Sequence, residues 1–434
     1  MTALGAALLI ARRMHVLPAL GVTAILGTLL GLGETAPRFY DWRDRTGAVA
    51  AAFTLVIPLF CGLAAFMGGR IRKSSYFLLI RCAPDGGVRA TLAASASVVL
   101  VAGSMSVFVV SGILIPWGSL GVPAGHPDFS RLLSSVSSLT AGGLVGFVFG
   151  LLVPWWWAPP IACIGSYVFG VAVLVLGGGV TSTLPVLSPL YVASLGPYFD
   201  LNVSLFALRT TWFAAAGVAA VGIAVLIVAR SRRVAAIISA SGSAILIVVG
   251  AGVICSPTGV SLDRASGSLH CAGSGPELCL LPAYEPERVT ISTALGPVER
   301  QLTATPFHFE RVEVTQRGVS RVVTPGTVEL HVDDFAQGWE QRDLGELVQS
   351  ILDSRQSGAA CRVLGPDDPL GYVYGPPLVF VGWAIDSRET ADAWEGGGAA
   401  YDKLISMPRA DQIAWVAGNT RNLCSGKANL RALR

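Results

Sequence analysis

Residues Ala90 to Ile115 read ATLAASASVVLVAGSMSVFVVSGILI, without a single Lys, Arg, Asp or Glu. A helix needs about 20 predominantly apolar residues to cross a bilayer, so this run alone marks a spanning segment. Six further uncharged runs surround it, at Leu17–Gly33, Gly47–Gly68, Leu132–Trp156, Pro160–Val180, Thr210–Ala229 and Val234–Ile254. From Cys255 onward the chain turns polar. The pattern predicts a polytopic α-helical membrane protein with seven spans over residues 17–254. A lead-in of residues 1–16 precedes them, and a C-terminal mixed α/β domain occupies 255–434. Ionisable groups at membrane depth are costly and usually functional. The uncharged runs predict none, which places the energy source for any transport on another chain.

Charge sets the expected orientation. Residues 1–254 carry 15 Lys and Arg against 6 Asp and Glu, and residues 255–434 carry 16 against 22, giving +9 and −6. Ten of the first 15 bases fall at one end: Arg12 and Arg13, then Arg70, Arg72, Lys73, Arg81 and Arg89, then Arg230, Arg232 and Arg233. Arg38, Arg43, Arg45, Arg131 and Arg209 fall in the opposite connections. The positive-inside rule then puts the N-terminus in the cytoplasm and, after an odd number of crossings, residues 255–434 outside it. These bases flank membrane spans, and no basic patch with interleaved aromatics points to nucleic acid.

The eight cysteines fit that division. Cys61, Cys82 and Cys163 lie in or near the membrane half, where Cys behaves as a small apolar residue. Cys255 stands at the membrane boundary as the odd one, and Cys271, Cys279, Cys361 and Cys424 fall in the expected external domain, where oxidising conditions permit disulfides. Four cysteines allow three connectivities. The favoured pairing is Cys271–Cys279 and Cys361–Cys424, with free buried thiols as the alternative. Arg12 and Arg13 ahead of an apolar run also fit a signal peptide, but the run is long and lacks a small-residue cleavage site, so it reads as an uncleaved anchor.

Several connections carry their own signals. Met1–Ile10 is apolar but too short to span, and suits a helix lying along the membrane surface. Gly69–Arg89 brackets the apolar Tyr76–Ile80 with bases and suits an amphipathic, partner-docking segment, with Arg70, Arg72, Lys73 and Arg81 as the candidate contacts. Trp155-Trp156-Trp157 marks a membrane interface, and Pro159-Pro160 a tight turn. Thr181–Leu208 is apolar yet broken by Pro185, Pro189 and Pro197, which predicts short re-entrant or interfacial helices. In the C-terminal domain, Arg311–Val314 and Thr327–Val332 alternate as strands do. Asp343–Leu352 and Asp411–Leu423 carry helical spacing. Gly296-Pro297 predicts a break or start in Thr290–Leu302, and Gly396-Gly397-Gly398 reads as a loop.

Catalytic signals are thin. The string nearest to a phosphate-binding loop, Ser425-Gly426-Lys427-Ala428, lacks both the leading Gly (Arg421 stands there) and the hydroxyl residue. His308-Phe309-Glu310 and His331-Val332-Asp333-Asp334 lack the convergent ligands of a zinc site. No nucleophile elbow or His-Glu-x-x-His string occurs. No enzyme activity, cofactor or metal is expected. Trp339, Trp383, Trp394 and Trp415 offer stacking surfaces, although such residues are more often core.

The basic lead-in at Arg12 and Arg13, the Arg70–Arg89 connection and the broken loop Thr181–Leu208 together resemble the permease subunits of type-2 ATP-binding-cassette exporters. The resemblance covers about residues 1–230 and is one of topology. It implies a plasma-membrane permease that dimerises as a homodimer or heterodimer among membrane lipids. It also implies a separate cytoplasmic ATPase docked on the first cytoplasmic connection. The remainder, with Cys271-x-Gly-x-Gly-Pro-x-x-Cys279-Leu-Leu-Pro and Cys424, is similar to domains fused to permease-like proteins of high-GC Gram-positive bacteria. A membrane-anchored external binding or sensory protein that transports nothing is the alternative function.

Overall fold

The computed structural model describes residues 16–33, 42–73, 77, 87–118, 126–177, 183–192, 199–228, 232–254, 261–264, 269–273, 275–315, 326–332, 343–348, 351, 377–393 and 396–424. The chain divides into two compact units, the first built almost wholly from residues before Ala265 and the second from Ala265–Arg434.

The first unit is a helical bundle: α1 (Val16–Gly33), α2 (Trp42–Lys73), α3 (Val88–Gly118), α4 (Phe129–Leu152), α5 (Ala158–Leu176), α6 (Val203–Val228) and α7 (Arg232–Ile254). Helices α2 to α7 each contain a stretch long and apolar enough to cross a membrane, giving the chain a multi-pass architecture. Helix α1, the seventh expected span, is an apolar helix of 18 described residues, which rises about 27 Å.

Small residues set the packing. Gly146 and Gly150 of α4 lie directly on the Cys61 and Ala65 carbonyls of α2, where a Cβ would collide with backbone. Gly242 of α7 lies on Ala219 of α6, a Cβ there falling 2.6 Å from the Ala219 nitrogen. Lipid tails are as apolar as Leu, so helices in a bilayer associate through such close backbone approach rather than through hydrophobic exclusion. These contacts also fix direction. Arg43 meets Arg131 at one end of α2 and α4, and Arg72 meets Leu151 at the other, so the two helices run parallel. Their shared core includes Phe53, Phe60 and Phe147.

Trp155 to Trp157 form the turn into α5 and are 70%, 72% and 51% exposed. Pro159 and Pro160 occupy the first turn of α5, where a missing N–H costs no helical bond. The segment before α6 departs from expectation. Among the described residues, where short re-entrant or interfacial helices are expected, it holds one 3₁₀ turn, Leu184–Leu187, and then strand β1 (Phe199–Leu201), antiparallel to β2 (Ser261–Arg264). Pro185 and Pro189 remove the donors a longer helix would need. Hydrogen bonds hold the segment instead: Ser188 Oγ donates to the Gly170 carbonyl at 2.8 Å, and the Thr183 hydroxyl donates to the Val253 carbonyl.

The second unit contains a four-stranded sheet in the order β3 (His270–Ala272), β4 (Glu277–Leu280), β5 (Arg311–Thr315), β6 (Thr327–His331). The β3–β4 pair is antiparallel and the other two pairs are parallel. The chain between β4 and β5 runs through helix α8 (Arg288–Leu302), the crossover that parallel neighbours require. The expected break at Gly296-Pro297 is corrected, since α8 is continuous through Pro297. Ile291, Leu295, Val298 and Leu302 are all buried on one face, and that packing outweighs the lost hydrogen bond. Both alternating strands form as expected, and residues 343–348 are helical. Helices α9 (Pro377–Ala384), α10 (Arg388–Asp392), α11 (Gly397–Ser406) and α12 (Arg409–Cys424) complete the described residues. The predicted loop at Gly396–Gly398 is also corrected. Gly396, at φ 80°, caps α11, and Gly397 and Gly398 form its first turn because Asp392 leaves no room for a Cβ at 398.

Candidate functional site

The most distinctive site lies in the bundle, where a cavity of about 460 Å³ opens among α2, α4, α5 and α6. Its walls include Ile57, Val145, Phe169 and Phe213, with Pro189 also among the lining residues. Two hydroxyls line it, but Ser138 donates to the Ser135 carbonyl and Ser166 to the Cys163 carbonyl, so both are spent on their own helices. The cavity is therefore apolar and of small-molecule size. Val145, Ile161 and Phe169 are 50%, 52% and 53% exposed on the outside of the bundle. The cavity thus opens sideways, at the level of side chains that face outward.

Above it, three arginines are buried. Arg45, Arg131 and Arg209 are 1%, 2% and 2% exposed. All three lie inside helices that qualify as spans, at the end shared by the N-termini of α2, α4 and α6. This corrects the expectation of arginines confined to loops, since all three stand in the first two turns of helices. The helices begin before the uncharged cores because the guanidinium groups find acceptors and rings within the fold. Arg131 Nη1 donates to the Arg43 carbonyl at 3.1 Å, and Arg131 Nε lies 3.9 Å from an Asp128 carboxylate oxygen. The Arg45 guanidinium lies 5.8 Å from the Trp42 ring centre.

Arg209 is the most enclosed. Its Nη2 donates to the Ser188 carbonyl at 3.0 Å and the Tyr191 carbonyl at 3.2 Å. Its guanidinium lies 5.7, 5.6 and 5.6 Å from the ring centres of Tyr191, Phe206 and Phe213, within cation–π range. Burial pushes the Tyr191 phenol up, while Arg209 and Arg131 pull it down. Arg209 makes no ion pair with a carboxylate among the described residues, and its buried Nε–H has no acceptor. Sequence reasoning placed Arg209 in a connection. The signal that would have found it is Phe206 three residues before and Phe213 four after, both on its own helical face.

The partner-docking set divides. Gly69 lies against Gly150 and Pro154, so the last turn of α2 reaches past Leu152, where α4 ends. Arg70 and Lys73 are exposed there, with the Arg70 guanidinium 5.1 Å from the Phe66 ring centre. Arg72 instead donates to the Leu151 and Leu152 carbonyls and caps the end of α4. Arg81, Met1–Ile10 and most of Tyr76–Ile80 lie outside the described residues.

In the second unit, Cys271 and Cys279 form a disulfide between directly opposed residues of β3 and β4. Glu277 lies close to both sulfurs, but a disulfide offers no thiolate to a metal. Cys361 and the Cys424 side chain lie outside the described residues, as do Trp339, Trp394 and the 425–428 string. Trp383 is fully buried, and Trp415 is 9% exposed, so both are core. Trp383 Nε1 donates to Gln412 Oε1 at 2.9 Å. The His331 ring nitrogen Nδ1 lies 2.8 Å from the Thr315 hydroxyl across β5 and β6, a structural pairing.

No family model matches the chain, and neither a curated protein nor a solved structure is similar to it.

Proposed function

We propose that the chain is the membrane subunit of an ATP-driven transport system, with ATP hydrolysed on a separate cytoplasmic chain. The observation that carries this reading is the end of α2, which extends past α4 and exposes Arg70 and Lys73 beyond the apolar bundle. The positive-inside rule makes that end cytoplasmic. It is where an ATPase reaches a membrane partner, and the lateral cavity gives the bundle a place to hold a lipophilic substrate. On the same rule the second unit is extracytoplasmic, in the plasma membrane's outer space, where a Cys271–Cys279 disulfide persists. Transport as a homodimer or heterodimer belongs to the same reading.

The test is affinity purification of the tagged full-length chain from native membranes, with mass spectrometry of its companions. The expected result is a stoichiometric cassette ATPase that is lost when Arg70→Glu and Lys73→Glu are combined. Arg72 is left alone because it caps α4. Recovery without an ATPase, together with an external or cell-wall protein, overturns this reading in favour of a membrane-anchored binding protein.

A further inference from the structure

We propose that the lateral cavity and Arg209 together form a binding site for one anionic phospholipid of the surrounding bilayer. The phosphate would lie at Arg209 and an acyl chain would lie in the cavity. This inference rests on the membrane-embedded part of the reading above and is independent of any ATPase.

Two observations point to such a ligand independently. The first is the cavity, whose available hydroxyls are spent internally and whose rim is continuous with the outward-facing residues Val145, Ile161 and Phe169. Whatever fills it enters sideways and is apolar. A hydrocarbon chain of the bilayer meets both conditions without crossing water. The second is the state of Arg209. A guanidinium carries five N–H donors, and the bonds of Arg209 use only Nη2. Its buried Nε–H has no acceptor among the described residues. A buried charge without an anion is strongly disfavoured.

The two parts adjoin. Phe213 lines the cavity, and its ring centre lies 5.6 Å from the Arg209 guanidinium. Pro189 lines it as well, and the carbonyls that Arg209 holds belong to its neighbours Ser188 and Tyr191. Charge and cavity thus share Phe213 and the 188–191 segment as a common wall. They are stacked along α6 in the order of an amphiphile, with the head at the helix N-terminal end and the tail one to two turns below, at Trp212–Ala216. Arginine suits this role because its planar fork binds phosphate with charge-assisted hydrogen bonds. Basic pockets between membrane helices recognise anionic headgroups in the same way.

The experiment uses the full-length protein, delipidated in detergent and titrated with dioleoyl phosphatidylglycerol or with dioleoylglycerol, which has the same tails and no phosphate. Retained lipid is counted by native mass spectrometry. The wild type should retain one phosphatidylglycerol with about tenfold preference, the ratio expected for one charge-assisted hydrogen bond. Arg209→Gln should hold the two lipids equally. Ala216→Phe, which fills the tail end and leaves Arg209 in place, should hold neither. Equal retention by the wild type overturns the headgroup assignment and leaves Arg209 a structural staple. Undiminished phosphatidylglycerol in Ala216→Phe overturns the tail assignment. If Arg209→Gln does not fold, Arg209→Lys takes its place. It keeps the charge and loses the fork, so the preference should fall but persist, and a preference that disappears or is unchanged counts against the site.

Discussion

Arg209 of the bundle and the arginines of the sheet-containing unit differ in what pairs with them. In the bundle, Arg209 is buried, donates to two backbone carbonyls and lies among three aromatic rings. In the second unit, Arg288 makes a two-point pair with Glu285 at 2.7 and 2.9 Å, and its other bonds reach the Leu278 and His270 carbonyls. Arg388, 55% exposed, pairs with Asp392 and Asp402. The Arg288 hydrogen bond holds the Glu285 carboxyl below its usual range. Where water is near, carboxylate partners are inexpensive and individually worth little. Where it is excluded, a second buried charge brings its own desolvation cost. Carbonyls and ring faces meet part of the demand of Arg209, and its Nε–H keeps no acceptor among the described residues.

The sharpest way to break that comparison is to remove one arginine of each kind. Arg209→Leu should destabilise the bundle by about 1–3 kcal/mol for each carbonyl it strands. Arg388→Ala should leave the unfolding of the second unit unchanged. Thermal melts of the full-length protein in one detergent measure both. Equal losses would show that burial does not separate the two sets.

Within the bundle, the helices differ in how closely their backbones approach. Gly146→Val should separate α2 from α4 and cost roughly 1–3 kcal/mol or more, because the carbonyl beneath it cannot rotate away. Gly103 on α3 has open space around it, so Gly103→Ala should be neutral or slightly stabilising. Resistance to denaturation by a harsh detergent reads both changes. A tolerated Gly146→Val would mean that the helices are held by side chains, as in a soluble protein.

The smallest effect concerns polar pairing in the second unit. Tyr401 donates to Asp386 Oδ1 at 2.9 Å. Burial, then that hydrogen bond, then the charges of Asp386 and Asp402 push its phenol up from 10.0 to about 12. A pKa raised on folding means that the stabilisation is complete below pH 10 and is lost as pH rises through about 12. Tyr401→Phe should cost about 1 kcal/mol at neutral pH and should abolish that alkaline loss. Fluorescence melts between pH 7 and 12 would register it, and an unchanged alkaline limb would assign it to other groups.

Much of the fold is legible in the residues. Uncharged runs mark the helices because a backbone in hydrocarbon must satisfy its own hydrogen bonds. Alternation marks β5 and β6. The site is less legible. Arg131 and Arg209 look like loop charges because each stands at the edge of an uncharged run. Hydropathy measures the cost of a charge in lipid and cannot see carbonyls supplied by a distant segment such as 188–191. Pro297 misleads in the same way, since its local cost is visible and the packing of Ile291, Leu295 and Val298 that offsets it is not. Of the docking set, Arg72 proves to be a cap for α4, a role set by the parallel course of two helices 79 residues apart in the pairing.

The sequence by itself determines that residues before 255 form a multi-pass helical architecture, that bases gather at one end of it, and that a polar, cysteine-bearing segment follows. Those properties depend on composition along the chain, and transfer energies are additive over neighbouring residues. Only the tertiary structure decides that α4 lies parallel on α2 through Gly146 and Gly150, and that Ser188 and Tyr191 turn their carbonyls to Arg209. It also decides that a cavity opens beside Phe213. Each of these joins residues far apart in sequence, and their energies exist only once the helices have met.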